Sequence, residues 1–214
     1  MATNAQNIIV GAAAVAVGTG TATSAGVTAT WDALKTEVGV GKDYRGWIAG
    51  LTSVGTAVNG VTFKDAGLTQ NGVEVTYTPD YGEVEVDQVL DAAKIFKQKM
   101  SVMVRTTFAE ATLENLYQVW GQSDATIATV GSDEELFLVP GELGQAPVEK
   151  HLLFVGSSTA DFDQRVYLVS RAVSMEASVH SLRRNEATVF PVAFRLLPDT
   201  SSSYSAYGKV IDVA

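Results

Sequence analysis

Three carboxylates, Glu83, Glu85 and Asp87, stand at i, i+2 and i+4 in a 214-residue chain without cysteine. Paired acids at a suitable separation serve as general acid and base, and oxygen clusters hold calcium. In an alternating stretch, Glu83-Val84-Glu85-Val86-Asp87, the spacing instead sets all three on one face of a strand, with Val84 and Val86 on the other. The EF-hand loop pattern is missing, so the row reads as a charged strand face and not as a metal site. His151 and His180 are the only histidines. His151 opens an apolar run, His180 lies near Arg183 and Arg184, and neither belongs to a spaced ligand cluster. Gly39-Val40-Gly41-Lys42-Asp43 lacks the spacing of a phosphate-binding loop. With no cysteine there is neither a disulfide framework nor a cysteine-containing metal site. No catalytic, cofactor-binding or metal-ligating residue is assigned, and the chain is read as not an enzyme.

The elements that must position the acidic row are strands. Val73, Val75 and Tyr77 alternate with polar residues, a period-2 pattern with one buried face, and Pro79-Asp80-Tyr81-Gly82 is expected to turn the chain. From Lys94 the alternation lengthens. Phe96, Met100, Val102 and Val104 fall on one side, while Lys97, Lys99, Ser101 and Arg105 fall on the other with Met103. Thr107-Phe108-Ala109-Glu110 has the spacing of a capping box. A helix should follow with Leu113, Leu116, Tyr117 and Trp120 docked on the sheet, ended by Gly121.

Further strands are expected over Gly60 to Lys64, Asp124 to Thr129, His151 to Gly156, Gln164 to Met175, Glu186 to Leu197 and Gly208 to Val213. Asn71-Gly72 is a turn dipeptide, and Pro191 marks an edge or bulge. In Gln164 to Met175, Val166 and Leu168 share one face, and Tyr167, Val169 and Val173 the other. A strand apolar on both sides is central in a sandwich or half in an interface. The fold class is therefore mainly β, a β-sandwich or partly closed barrel with one flanking α-helix.

Residues 1 to 60 read as an N-terminal arm and loop region ahead of a β-domain over residues 61 to 214. Ile8 to Val17 is apolar but far shorter than a membrane span and has no basic leader before it, as expected of an edge strand or arm in a cytoplasmically made protein. Trp31 to Val38 suits a helical turn or two, which the following glycines and Asp43-Tyr44-Arg45-Gly46 should interrupt. Trp31, Trp47, Ile48 and Leu51 are either a local satellite of the core or anchors on a neighbouring subunit.

Charged residues make up 18% of the chain, below the rough quarter usual for globular domains. A thinly charged surface over a folded core suggests cover by another chain. With 24 acids against 15 bases the net charge is -9, which excludes wrapping of DNA by phosphate neutralisation.

Three stretches resemble one known family. Leu68-Thr69-Gln70-Asn71-Gly72-Val73-Glu74-Val75, then Glu83-Val84-Glu85-Val86-Asp87-Gln88, then Val102 to Thr107 and Phe108-Ala109-Glu110-Ala111-Thr112-Leu113-Glu114-Asn115-Leu116 are similar in order and pattern to the major tail proteins, or tail tube proteins, of long-tailed bacteriophages. Phe154-Val155-Gly156 and Phe190-Pro191-Val192 look like that family's C-terminal half. The resemblance spans about residues 60 to 213. It implies hexameric rings whose sheets join into an inner β-barrel, stacked into a tube in the virion through which DNA passes without specific binding. It also implies a tape measure protein in the lumen and tail terminator and tail tip proteins at the ends. Under that reading Glu83, Glu85 and Asp87 line the lumen or a subunit boundary, and Lys97, Lys99 and Arg105 line the lumen or pair with a neighbour's acids. A tail terminator or minor tail protein forming a single ring shares the fold. A non-enzymatic β-sandwich binding module, with Trp31, Trp47 and Tyr44 as its binding face, is the competing class.

Overall fold

The computed structural model describes residues 13–22, 27–39, 43–51, 55–84, 94–122, 127–130 (backbone only), 133–157, 163–176, 178–180, 182, 184–185, 187–200 and 206–213. The fold is mainly β. The described strands are β1 (Ala14–Gly20), β2 (Thr56–Val58), β3 (Val61–Asp65), β4 (Thr69–Val84), β5 (Lys94–Phe108), β6 (Ile127–Val130), β7 (Asp133–Leu136), β8 (Lys150–Ser157), β9 (Gln164–Ser174), β10 (Phe190–Leu196) and β11 (Gly208–Val213). The described helices are α1 (Val27–Val38), α2 (Tyr44–Ala49) and α3 (Leu113–Val119). A nine-stranded sheet runs β2-β3-β1-β8-β9-β10-β5-β4, with β11 beside β9, and β6 and β7 pair antiparallel in a separate two-stranded sheet.

β9 joins the two halves of this sheet. Its first half pairs with β11, and its last residues, Ala172 to Ser174, pair with β10. A register shift in the β8–β9 ladder between Lys150 and Leu152 accompanies the change of neighbour; such irregularities bend strands. The halves curl toward one another, because Val15 and Val17 of β1 share a buried cluster with Val102 and Val104 of β5, four places away in strand order. Among the described residues the sheet is not hydrogen-bonded into a closed barrel. Residues 66–68 bridge the open corner, carrying the chain from β3 to β4.

Period-2 alternation fills both faces. On β8, Leu152 and Phe154 enter the cluster between the halves, while Leu153 and Val155 enter a second one. α1 and α2 cover that second cluster. Val27, Thr30, Trp31 and Leu34 form the buried face of α1, three and four residues apart. α2 is capped by Asp43, whose carboxylate accepts from Gly46 N at 2.9 Å. A Cβ on Gly46 would lie 2.2 Å from that carboxylate, so glycine lets the cap close.

Several expectations change. β1, the described part of the apolar N-terminal segment, is neither edge nor arm: it is interior, paired with β3 and β8, because its small residues fit a sheet buried on both faces. Asp43 to Gly46 starts a helix where an interruption is expected. Asn71 and Gly72 adopt left-handed backbone within β4, at a register shift between Gln70 and Val73, and make no turn between strands. Pro79 to Gly82 does not turn the chain either. β4 continues through it, since β4 is an edge strand where the absent proline N–H breaks no ladder bond. β5 keeps its pairing to Phe108, so the helix begins later and is capped by Thr112, which accepts from Asn115 N. Pro191 lies where β10 pairs with β5 but not yet with β9, an edge in all but name.

Candidate functional site

β10 pairs with β5 only from Met103 to Phe108. From Lys94 to Val102, nine residues, β5 has β4 as its ladder partner, and among the described residues β4 has no second neighbour. At about 3.3 Å per residue this two-stranded ribbon extends on the order of 30 Å past the β10 contact. An isolated hairpin is marginally stable in water.

One irregularity decides which side chains share its faces. Asp80 is opposite Lys99, but the next residue, Tyr81, is opposite Lys97, leaving Gln98 as the extra residue of a bulge. A bulge reverses the alternation beyond it. Lys97 therefore does not lie with Lys99 and Arg105 as the sequence alternation implies. It joins Tyr77, Tyr81 and Ile95 on the face that continues from buried Val102 and Val104. Its ammonium donates to the Tyr77 hydroxyl at 2.7 Å and contacts Met100 Sδ at 3.1 Å. The Tyr77 bond holds its pKa above the ordinary lysine value. Phe96 changes sides too, packing over Gly82, where a Cβ would lie 2.8 Å from its ring. The core-facing side of the sheet thus runs outward into an uncovered stripe: Tyr77 is 53% exposed, Tyr81 55% and Ile95 61%.

On the opposite face Lys99 stands across from Asp80, and Arg105 across from Glu74. Arg105 is ion-paired with Glu176 of its own chain, which raises its pKa. Glu83 is exposed and directly across from Ile95, so it lies on the stripe face with Tyr81 and Lys97 and not with Lys99 and Arg105. Glu85 and Asp87 lie outside the described residues, so the three-acid row is not placed as a unit.

α3 buries Asn115, Tyr117, Gln118 and Val119, while Leu113 and Leu116 are half-buried. Trp120, expected on the packing face, is 37% exposed and lies against the ring of His180, because the helix ends at Val119 and Gly121 turns left-handed. Tyr117 is fully buried beneath the Lys150 ammonium, 4.6 Å from its ring centre. Sequence reasoning missed buried Lys150, which donates to Gln122 O at 2.9 Å. Nothing in its spacing distinguishes it from a surface lysine.

Trp31 and Ile48 are buried in the chain's own second cluster, and Trp31 stacks on Tyr44 at 5.3 Å. Trp47 meets Phe63 edge-on and Leu51 is half-buried against the same cluster. Trp31 and Ile48 are therefore core residues, covered by packing of α1 and α2 on the sheet, and not exposed anchors. Buried Trp31 and Tyr44 also remove the aromatic face proposed for a binding module.

Among the described residues no group of three or more His, Asp or Glu is placed to hold a metal ion. No described helix is long and apolar enough to cross a membrane. Burial holds the His151 imidazole below its ordinary pKa.

No protein-family model matches this chain, and no curated protein matches it. Among solved structures, the chain is similar to a component of the "Virion of native gene transfer agent (GTA) particle", with 10% identity and a TM-score of 0.31 over 71% of this chain and 89% of that one.

Proposed function

We propose that this chain is a structural virion protein, the subunit of a tail tube, whose copies close into hexameric rings that stack into the conduit for viral DNA. The observation that carries the reading is the β4–β5 ribbon, a long two-stranded extension with an open edge and an apolar stripe continuous with the core. Unpaired edges invite pairing, and ring closure gives each one a partner without leaving a free end. The resemblance of residues 60 to 213 to tail tube proteins supplies the ring number and the conduit role. A net charge of -9 suits a lumen that lets DNA slide. Glu83, Glu85 and Asp87 then line that lumen or a boundary between subunits. The role is non-enzymatic, in the tail of the virion, with a tape measure protein inside the tube and terminator and tip proteins at its ends.

Sedimentation and electron micrographs of the purified chain test this. Rings and stacked tubes are expected as concentration rises. Single rings that never stack point to a terminator, and a chain that stays monomeric even with the other tail components removes the proposal.

A further inference from the structure

Asparagine is followed by glycine twice in the chain, at Asn59-Gly60 and Asn71-Gly72. In this pair the side-chain amide carbon can come within bonding reach of the next backbone nitrogen, and the glycine puts no Cβ in the way. Closing that ring requires rotation about the asparagine Cα–C bond. In a folded chain the reaction therefore depends on what holds the asparagine.

The fold holds the two pairs differently. Asn59-Gly60 is the two-residue turn between β2 and β3, with Val58 paired to Val61 and positive φ at both turn residues, as so tight a hairpin needs. The Asn59 amide donates to Thr30 Oγ1 at 3.0 Å, and Thr30 is buried on α1. Gly60 O lies against β1, where a Cβ on Gly20 would come within 2.9 Å of it. Rotating Asn59 would break the hairpin and pull its amide from α1. Asn71-Gly72 instead falls in the register shift of β4, between the Gln70–Thr107 and Val73–Thr106 pairs, so neither residue has a partner in that ladder. Asn71 is exposed, and among the described residues no hydrogen bond holds its side chain. A Cβ built on Gly72 would touch nothing within 4 Å, so there is room for the segment to turn. Thr106 Oγ1 donates to Gly72 O at 2.8 Å, a single local bond to open for that motion.

We propose that Asn71 is a site of spontaneous deamidation and isoaspartate formation, and that the fold protects Asn59 from the same reaction. The Gly72 nitrogen loses its proton to water and attacks Asn71 Cγ. A Cγ–N bond closes a succinimide ring while the Cγ–Nδ2 bond breaks, and the departing nitrogen takes up a proton and leaves as ammonia. Water then opens the ring at either carbonyl to give aspartate or isoaspartate, so one water is consumed for each ammonia released. The product adds a carboxylate to the cleft that Glu74, Arg105 and Glu176 line with Asn71. As isoaspartate it also lengthens the main chain of β4 by a methylene at the root of the ribbon. The proposal is independent of the tail-tube reading.

Peptide mapping by mass spectrometry tests it. Trypsin cuts after Arg45, Lys64 and Lys94, which puts Asn59 and Asn71 on separate peptides. After incubation of the folded chain in warm, mildly alkaline buffer, the Asn71 peptide should gain about one dalton and become a substrate for isoaspartyl methylation, several times faster than the Asn59 peptide. In urea the two peptides should change at similar rates, because the protection of Asn59 is then gone. Asn71→Gln should abolish the gain. Equal rates at the two sites in the folded chain, a folded chain unchanged at Asn71 while the urea-treated chain reacts, or a gain that persists in Asn71→Gln would each overturn the assignment.

Discussion

Asn115 closes the corner of the sheet that no strand ladder closes. It is 4% exposed, and its side-chain amide donates to Ala66 O and to Glu110 O, each at 2.9 Å. Ala66 belongs to the crossing from β3 to β4, and Glu110 to the link from β5 to α3. Around this amide Leu68 N donates to Glu110 Oε1 at 2.9 Å and Ala109 N donates to Leu68 O at 2.8 Å. Asn115→Leu removes both donors and leaves two carbonyls short of a partner, at about 1 to 3 kcal/mol for each one that water cannot reach. The Ala66 bond is buried and the Glu110 bond partly so, which gives about 2 to 4 kcal/mol in all. For a chain of this size that is roughly a 5 to 15 °C fall in melting temperature. Asn115→Asp keeps the shape but turns the donor into an acceptor facing two carbonyls, so it should cost at least as much despite being nearly isosteric. Chemical unfolding of the three proteins reads the difference. A cost under about half a kcal/mol for both variants would mean that the corner does not depend on this amide.

Thr112→Ala removes the α3 cap and should cost about 1 kcal/mol, measured by the same unfolding. Leu116→Ala should cost less than Tyr117→Ala, because Leu116 is only half-buried; about 1 to 2 against 3 to 5 kcal/mol is expected, and the reverse order would contradict the burial pattern. His151 has a depressed pKa in the folded chain, so the unfolded chain takes up the proton first as pH falls below 6.5, and stability is lost in that direction. His151→Gln should flatten the stability profile between pH 7 and pH 5. Replacing Glu83, Glu85 and Asp87 together by Lys moves the net charge from -9 to -3, each change contributing two units. A lumen position predicts tubes that form but pass DNA slowly, a boundary position predicts failed assembly, and normal assembly with normal DNA delivery would leave the row a plain surface.

What was legible in the sequence was whatever one strand's own alternation decides. Val166 and Leu168 do enter one cluster while Tyr167 and Val169 meet the other, and β11 does close against β9. β5 and its helix were recognisable by length and pattern. The errors share a physical cause: positions where pairing with a distant strand outweighs a local signal. Asn71-Gly72 and Pro79 are strong turn formers, yet fourteen register pairs between β4 and β5 carry the strand past both. Thr107 has the spacing of a cap, yet its ladder with Pro191 and Gln70 keeps it extended. The Ala/Val run of β1 has no polar face to announce an edge or an interior position, and only its neighbours on both sides place it inside.

The bulge at Gln98 shows how one such nonlocal event alters the functional reading. Strict alternation from Lys94 to Thr107 puts Lys97 with Lys99 and Arg105, a basic face suited to lining a lumen or meeting acids. One unpaired residue divides that set, sending Lys97 onto the tyrosine stripe and Phe96 onto the polar side. The ribbon then has no purely basic face; it has an aromatic stripe bearing one ammonium, bonded to Tyr77, and the Glu83 carboxylate beside Ile95. Burying that stripe between copies would remove apolar surface from water, while its few charges set direction more than affinity. Tyr77→Ser with Tyr81→Ser should therefore impair assembly more than Lys99→Ala, while leaving the melting of the isolated chain nearly unchanged because both tyrosines are more than half exposed. Hydrogen exchange supplies the matching readout: amides of β4 and β5 over residues 76–101 should gain protection on assembly, whereas α1 and α2, already packed on the sheet, should be protected in both states. Equal exchange of the ribbon in free and assembled chain would place the interface elsewhere, whatever the stripe looks like.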